Sequence, residues 1–495
     1  MSFATPVFLI FLALASAAYL ALPRRLQAPF LLLASLVFYM WALPAYGLLV
    51  LATAAAVYFS AFWISGALEK KARRLRLALA ISLPLGALLV LKYFNFFSGI
   101  FSGIFGLEAL SLSPLVQPLG ISFYTLQLTG YLVDVYGGEE PERDFVYFAL
   151  FASFFPYILS GPISRASEML PQFKEEHRYS YSNAAAGLQR FLCGAFKKLV
   201  LADSLGLLVD GVWADELNAA GWPALFAVFF YSLQLYCDFS GYTDMALGAA
   251  KVLGFKLREN FLAPYFAFSI TDFWSRWHMS LTSWLRDYIY IPLGGNRKGF
   301  KRKLLNILIV FAISGLWHGA ALTFVVWGLW HALFRLIDEL LAKKRGEAYL
   351  RPFGLARTLR TGLTFILTSL GWVLFRAPDL SSAVSMVSLI FRRGVSLTDT
   401  LTLFNSYAAK GVFTDEKYFA VFWAGIIIAM ALALLFDIRL QRAAGASLSY
   451  YNPLALFGKR ARWALYWLMG LLTAVFYLIS TTGAAASSAF IYAGY

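Results

Sequence analysis

Phe3–Leu22, FATPVFLIFLALASAAYLAL, is an uncharged apolar run of 20 residues followed at once by Pro23, Arg24 and Arg25. Wound as an α-helix at ~1.5 Å per residue, such a run crosses the ~30 Å hydrocarbon core of a bilayer. A cleaved signal peptide carries basic residues before its apolar run and a small-residue cleavage site after it, whereas here the arginines follow. The run is expected to be a retained first span. Arg24 and Arg25 belong on the cytoplasmic side, where Lys and Arg accumulate, so the N-terminus is expected outside.

Outward from this stretch the same grammar repeats. Spans at about Ala28–Leu43 and Tyr46–Ser65 turn at Pro44 and return to Lys70, Lys71, Arg73, Arg74 and Arg76, again inside. Further basic groups are Arg297–Lys303, Lys343–Arg345, then Arg351, Arg357 and Arg360, and finally Lys459, Arg460 and Arg462. Residues 361–375 lead out, Tyr418–Phe436 leads back to Arg439 and Arg442, and Trp463–Ser480 leads out again. No charged residue follows Arg462, so the C-terminus is expected outside or in the outer leaflet. The expectation is an all-α polytopic membrane protein with about 11–13 transmembrane or re-entrant helices. A single membrane domain over residues 1–495 would end in an extracytoplasmic tail, 484–495.

Composition agrees. The chain is 60% apolar, 18% aromatic and 14% charged, with a mean hydropathy of +0.66, against ~25% charged residues in a soluble domain. Its net charge of +15 invites a nucleic-acid reading, but the basic residues fall in short clusters between apolar runs, so no nucleic-acid partner is expected. Two cysteines, Cys193 and Cys237, and four histidines offer neither a disulfide framework nor metal-ligand spacing.

Three regions break the lipid-like pattern. In Tyr231–Phe255, Gln234 and Asp238 share a helical face and Asp244 follows beyond Gly241. Buried acids at bilayer depth mark either a site or an ion pair with arginine. In Ser269–Lys303, one helical face would carry Trp274, His278, Leu281 and Leu285, and the other Arg276, Ser280, Ser283 and Asp287. That segment must line a polar cavity or rest among other helices. The adjoining Arg297, Lys298, Lys301, Arg302 and Lys303 suit contact with donor phosphates, or simply mark the cytoplasmic face. In Leu304–Phe334 an apolar run holds His318, with Ser314, Gly315 and Gly319 close by. Those small residues would leave room at an imidazole able to transfer protons near neutral pH, or would form a helix-packing motif.

At these residues the chain resembles the bacterial membrane-bound O-acyltransferases that acetylate alginate, cellulose or peptidoglycan, and less fully the teichoic-acid D-alanyl transferases. The matching stretches are Pro118-Leu-Gly-Ile-Ser-Phe-Tyr-Thr125, Asp134-Val-Tyr-Gly137, Ser160-Gly-Pro-Ile163 and Asp238-Phe-Ser-Gly-Tyr-Thr-Asp-Met-Ala246. They continue with Phe273-Trp-Ser-Arg-Trp-His-Met-Ser-Leu281, Trp284-Leu-Arg-Asp-Tyr288, Ile291-Pro-Leu-Gly-Gly-Asn-Arg297 and Gly315-Leu-Trp-His-Gly-Ala320. Their order is the family's order.

The resemblance implies a bundle around a central funnel, with His278 and His318 on a path through the membrane. It implies a cytoplasmic thioester donor, acetyl-CoA in the acetylating branch or a carrier protein in the D-alanyl branch, and no bound cofactor. His318 is expected as general base and His278 as a second positioning group, with Asp238 or Asp244 orienting an imidazole and Gln234 and Arg276 as supporting polar groups. His331 is expected to pack structurally, and His177 has no assigned role. The ending Phe490-Ile491-Tyr492 resembles one whose tyrosine relays the acyl group, although Ala493, Gly494 and Tyr495 depart from that pattern. An extracytoplasmic acetyltransferase would complete transfer to a polysaccharide. The lipid bilayer would be the bacterial inner membrane. A transporter or flippase without acyl chemistry is the rival, though no inverted repeat supports it.

Overall fold

The computed structural model describes the chain except for Ala42, Arg393 and residues 107–117, 216–217, 412–417, 444–453, 455–456 and 483–495. Tyr492 therefore lies outside the described residues. Among those described, every regular element is helical, and the one strand-type pairing is an isolated bridge between Gly221 and Val395. Five helices are long and apolar enough to cross a membrane: Pro44–Ser65, Lys70–Phe105, Gly354–Arg376, Phe419–Arg442 and Lys459–Ser480. The first apolar run gives a shorter helix than its length suggests. Thr5 caps it, its hydroxyl accepting from the Phe8 N–H, and Pro6 opens it, so helix covers Pro6–Ala21, 16 residues. That is ~24 Å of rise.

The chain forms two compact units. The first comprises Met1–Leu188 and Ala246–Arg258. Its aromatic core gathers Phe8, Phe38 and Phe155, with ring centroids 5.6–6.2 Å apart. His177 serves as a latch here. Its backbone exchanges two hydrogen bonds with the Gln27 side chain, and its ring rests on Phe255 at 4.4 Å.

The second unit holds Gln189–Met245 and the described residues from Glu259 onward. Here the Trp222–Val252 helix runs unbroken through Gly241, keeping Gln234 and Asp238 on one face. A Cβ added at Gly194 would lie 2.4 Å from the Gly241 carbonyl oxygen, and one at Gly241 would lie 2.8 Å from that of Gly194. The two backbones can approach only because both residues lack a side chain. That crossing sets the cations of residues 190–198 against the acids of 238–244.

The Ser269–Lys303 segment departs from the expected amphipathic helix. Ile270–Trp274 and Met279–Leu285 are separate short helices, and a π turn follows at Arg286–Tyr290. Between them His278 takes a left-handed backbone, φ 45° and ψ 52°. Trp274 and His278 therefore share no helical face. The break is held by Asn260. Its carbonyl accepts the Met279 N–H at 3.0 Å and its side chain accepts the Ser280 N–H at 3.1 Å. Those are N–H groups that a helix start otherwise leaves without acceptors.

Candidate functional site

His318 is the last residue of the Phe300–His318 helix, and the chain turns at Gly319–Ala321 into Leu322–Arg345. These two helices pack closely because Gly315 and Gly328 face one another across them. A Cβ at Gly315 would fall 2.4 Å from the Phe324 carbonyl oxygen, and one at Gly328 would fall 2.3 Å from that of Phe311. Gly319 is equally crowded, by the ring of Phe324. The small residues around His318 therefore serve helix packing, and the space beside them is filled.

What surrounds the imidazole is aromatic. Trp317 and Trp327 stand edge-on to it at 4.8 Å, and Phe375 does so at 5.3 Å. Trp317 also reaches the His278 ring at 6.0 Å, so one indole bridges the two motif histidines. His278 is fully buried, with Phe239 edge-on at 4.8 Å and Nδ1 3.4 Å from Asn260 Oδ1. His331 joins the same cluster: Trp274 donates its indole N–H to His331 Nδ1 at 3.3 Å, and Trp327 packs on the ring at 5.0 Å. A cavity of about 530 Å³ lies beside this cluster, lined by Ala321, Thr323, Phe324, Phe375, Arg376, Trp213 and Asp210. Arg376 pairs with Asp210 at 2.7 Å there and lies over the Trp213 ring. Ring packing of this density excludes water and lowers the local dielectric, which strengthens any charge interaction inside.

The acids are engaged by cations. Asp238 meets Lys198 at 2.5 Å, and Lys198 also reaches Asp203 at 2.9 Å. The two oxygens of Asp244 accept from Arg190 at 2.6 Å and Lys197 at 2.8 Å, while Arg190 also binds Glu259 at 2.7 Å. Tyr236 donates to Asp437 at 2.8 Å nearby. Gln234 is buried, and its side-chain oxygen has no hydrogen-bond partner among the described residues. Arg276 is held by Asp272 at 2.7 Å and by the Gln441 side chain. Arg297, Lys298 and Lys301 are exposed, flanking the turn at Gly294, Gly295 and Gly299, whereas Lys303 pairs with Glu339. No group of three or more metal-ligating side chains occurs among the described residues.

The contacts of Asn260 at the His278 bend, and of Arg190, Lys197 and Lys198 with the buried acids, were not legible in the sequence. A polar Glu259-Asn260 pair before Phe261 is the one local sign of the first. The lysines and Arg190 resemble ordinary orientation charges.

Comparison with known proteins bears on this arrangement. Residues 142–343 match the model of the membrane-bound O-acyltransferase family, a stretch containing both motif histidines. A probable alginate O-acetylase of Pseudomonas putida is 37% identical over 405 residues, 80% of this chain and 81% of that protein. A peptidoglycan O-acetyltransferase of Helicobacter pylori is 36% identical over 429 residues, 80% of this chain and 81% of the relative. A teichoic acid D-alanyltransferase of Bacillus subtilis is 30% identical over 236 residues, 44% of this chain and 58% of its own length. The apolar helices, the ordered motifs and similarity over four-fifths of the chain together make this multi-pass membrane protein an acyltransferase, a member of the membrane-bound O-acyltransferase family.

Proposed function

We propose that this protein takes an acetyl group from cytoplasmic acetyl-CoA and carries it across the bacterial inner membrane for O-acetylation of a cell-envelope or secreted polysaccharide. The observation that carries this is the pairing of His278 and His318 through Trp317 inside one aromatic enclosure. Acyl transfer needs an acceptor hydroxyl stripped of its proton, a carbonyl held beside it, and water kept out. His318 is assigned as the general base and His278, fixed by its bend and Asn260, as a positioning group. The basic turn at Arg297, Lys298 and Lys301 offers charge to the donor's phosphates at the start of the helix that ends at His318. Similarity over four-fifths of the chain to acetylating enzymes, against under half for the D-alanyl enzyme, supports acetyl over D-alanyl.

In this reading Tyr492 receives the acetyl group and passes it to an extracytoplasmic acetyltransferase. A phenol of pKa ~10 ionises more readily than a sugar hydroxyl, and its ester is correspondingly more reactive. The test is purified protein with radiolabelled acetyl-CoA, followed by mass spectrometry of the C-terminal peptide. An acetyl mark on Tyr492 that disappears in His318→Ala is the expected result. Release of no thiol from acetyl-CoA, alongside turnover of a D-alanyl carrier thioester, would overturn the acetyl assignment. Full polymer acetylation by Tyr492→Phe would remove the relay alone.

A further inference from the structure

Edge-on to His318, and stacked behind that ring, lie two indole N–H donors that find no acceptor among the described residues. The indole nitrogens of Trp327 and Trp372 are buried, and neither makes a hydrogen bond among the described residues. The two rings stack at 5.7 Å, and Trp327 stands edge-on to the His318 imidazole at 4.8 Å. Trp372 packs at right angles to Phe375, which itself touches His318 and lines the 530 Å³ cavity. A buried N–H without an acceptor is costly, and native proteins rarely keep one for packing alone. A phenyl ring would fill such a place without that cost. His331 Nε2 is a third such group, but it faces backbone: a Cβ at Gly371 would lie 3.0 Å from it.

We propose that the indole N–H groups of Trp327 and Trp372 are catalytic donors that hold the acyl carbonyl oxygen of the thioester and the oxyanion formed from it. This rests on the reading of His318 as general base. As the acceptor oxygen bonds to the carbonyl carbon, its proton passes to the imidazole and the carbonyl π pair moves onto oxygen, where the indoles bind it. Collapse restores the C=O bond and breaks the C–S bond, and the departing thiolate takes the proton back from the imidazolium. No other reactant is needed. Fixed donors aimed at developing charge in an enclosure of low dielectric bind the transition state better than the substrate.

The test uses the full chain in lipid nanodiscs, with Trp327→Phe, Trp372→Phe and, at the same positions, 3-benzothienylalanine, which keeps the bicycle and replaces N–H by sulfur. Each change is expected to lower kcat for transfer from radiolabelled acetyl-CoA by roughly 100-fold, with KM for acetyl-CoA little altered. The infrared carbonyl stretch of a bound, 13C-labelled ketone analogue of acetyl-CoA is expected at lower wavenumber on the wild-type protein than in water. Each variant should move it back toward the free value. Wild-type kcat in the benzothienyl variants overturns the proposal. So does a carbonyl stretch that no variant moves, since a purely structural role would lower kcat without changing it. His318→Ala is expected to lose transfer yet keep the carbonyl shift. Wild-type transfer by that variant would overturn the base assignment and leave the indole readouts to stand or fall by themselves.

Discussion

His278 holds a left-handed backbone conformation that costs a branched or bulky residue energy, and Asn260 is what holds it there. His278→Gly removes that strain along with the imidazole, so it is expected to be more stable than His278→Ala by about 1 kcal/mol, while transfer falls in both. His278→Ala keeps the strain and loses the ring, and should be the less stable of the two. Thermal melting beside the acetyl-CoA assay separates the effects; equal melting of the two variants would refute the strain argument. His318→Ala should lower transfer by ~10²-fold or more with melting unchanged, as loss of a general base requires. Both histidines were legible because their neighbours form ordered motifs. Asn260 was not: it reaches His278 across a bend that no helical periodicity encodes.

Apolar runs gave the helices their places, and Pro44 and Thr5 gave two of them their starts. The contacts that fix helix against helix were less visible. Gly315 and Gly319 read equally as room at His318 or as a helix-packing motif, and Gly315 proves to pack against Gly328 in a close crossing. Gly328→Ala would drive a methyl against the Phe311 carbonyl oxygen, and is expected to destabilise by ~1–3 kcal/mol, as overpacking does. Arg190 and Lys197 read as ordinary basic residues, yet both end buried on Asp244. Removing one partner of a buried ion pair leaves uncompensated charge, so Asp244→Asn is expected to cost ~3–5 kcal/mol. Melting in nanodiscs measures both losses. An Asp244→Asn protein as stable as wild type would mean that water reaches Arg190 and Lys197.

Across the whole molecule, the basic clusters are a wiring diagram that can be checked against the helices. The Lys70–Phe105 helix begins on one cluster, and Lys459–Ser480 begins on Lys459, Arg460 and Arg462. Each then runs far enough through apolar sequence to leave the hydrocarbon on the opposite side. Lys and Arg near span ends resist translocation, so the proposed topology has the charged ends of these helices in the cytoplasm. On the same proposed topology Arg297–Lys303, at the start of the His318 helix, lie on the side of the proposed cytoplasmic donor. Single cysteines replacing Lys70, Lys301 or Arg460 should therefore resist a membrane-impermeant maleimide in intact cells and react once the membrane is opened. A reporter fused after residue 482 should be active only outside. Labelling of Lys301→Cys in intact cells would reverse the direction of the proposed transfer, because the basic turn would then face away from any cytoplasmic thioester. A cytoplasmic reporter after residue 482 would leave that direction intact and remove the Tyr492 relay, since its tyrosine would sit on the wrong side of the bilayer to reach an outer acceptor.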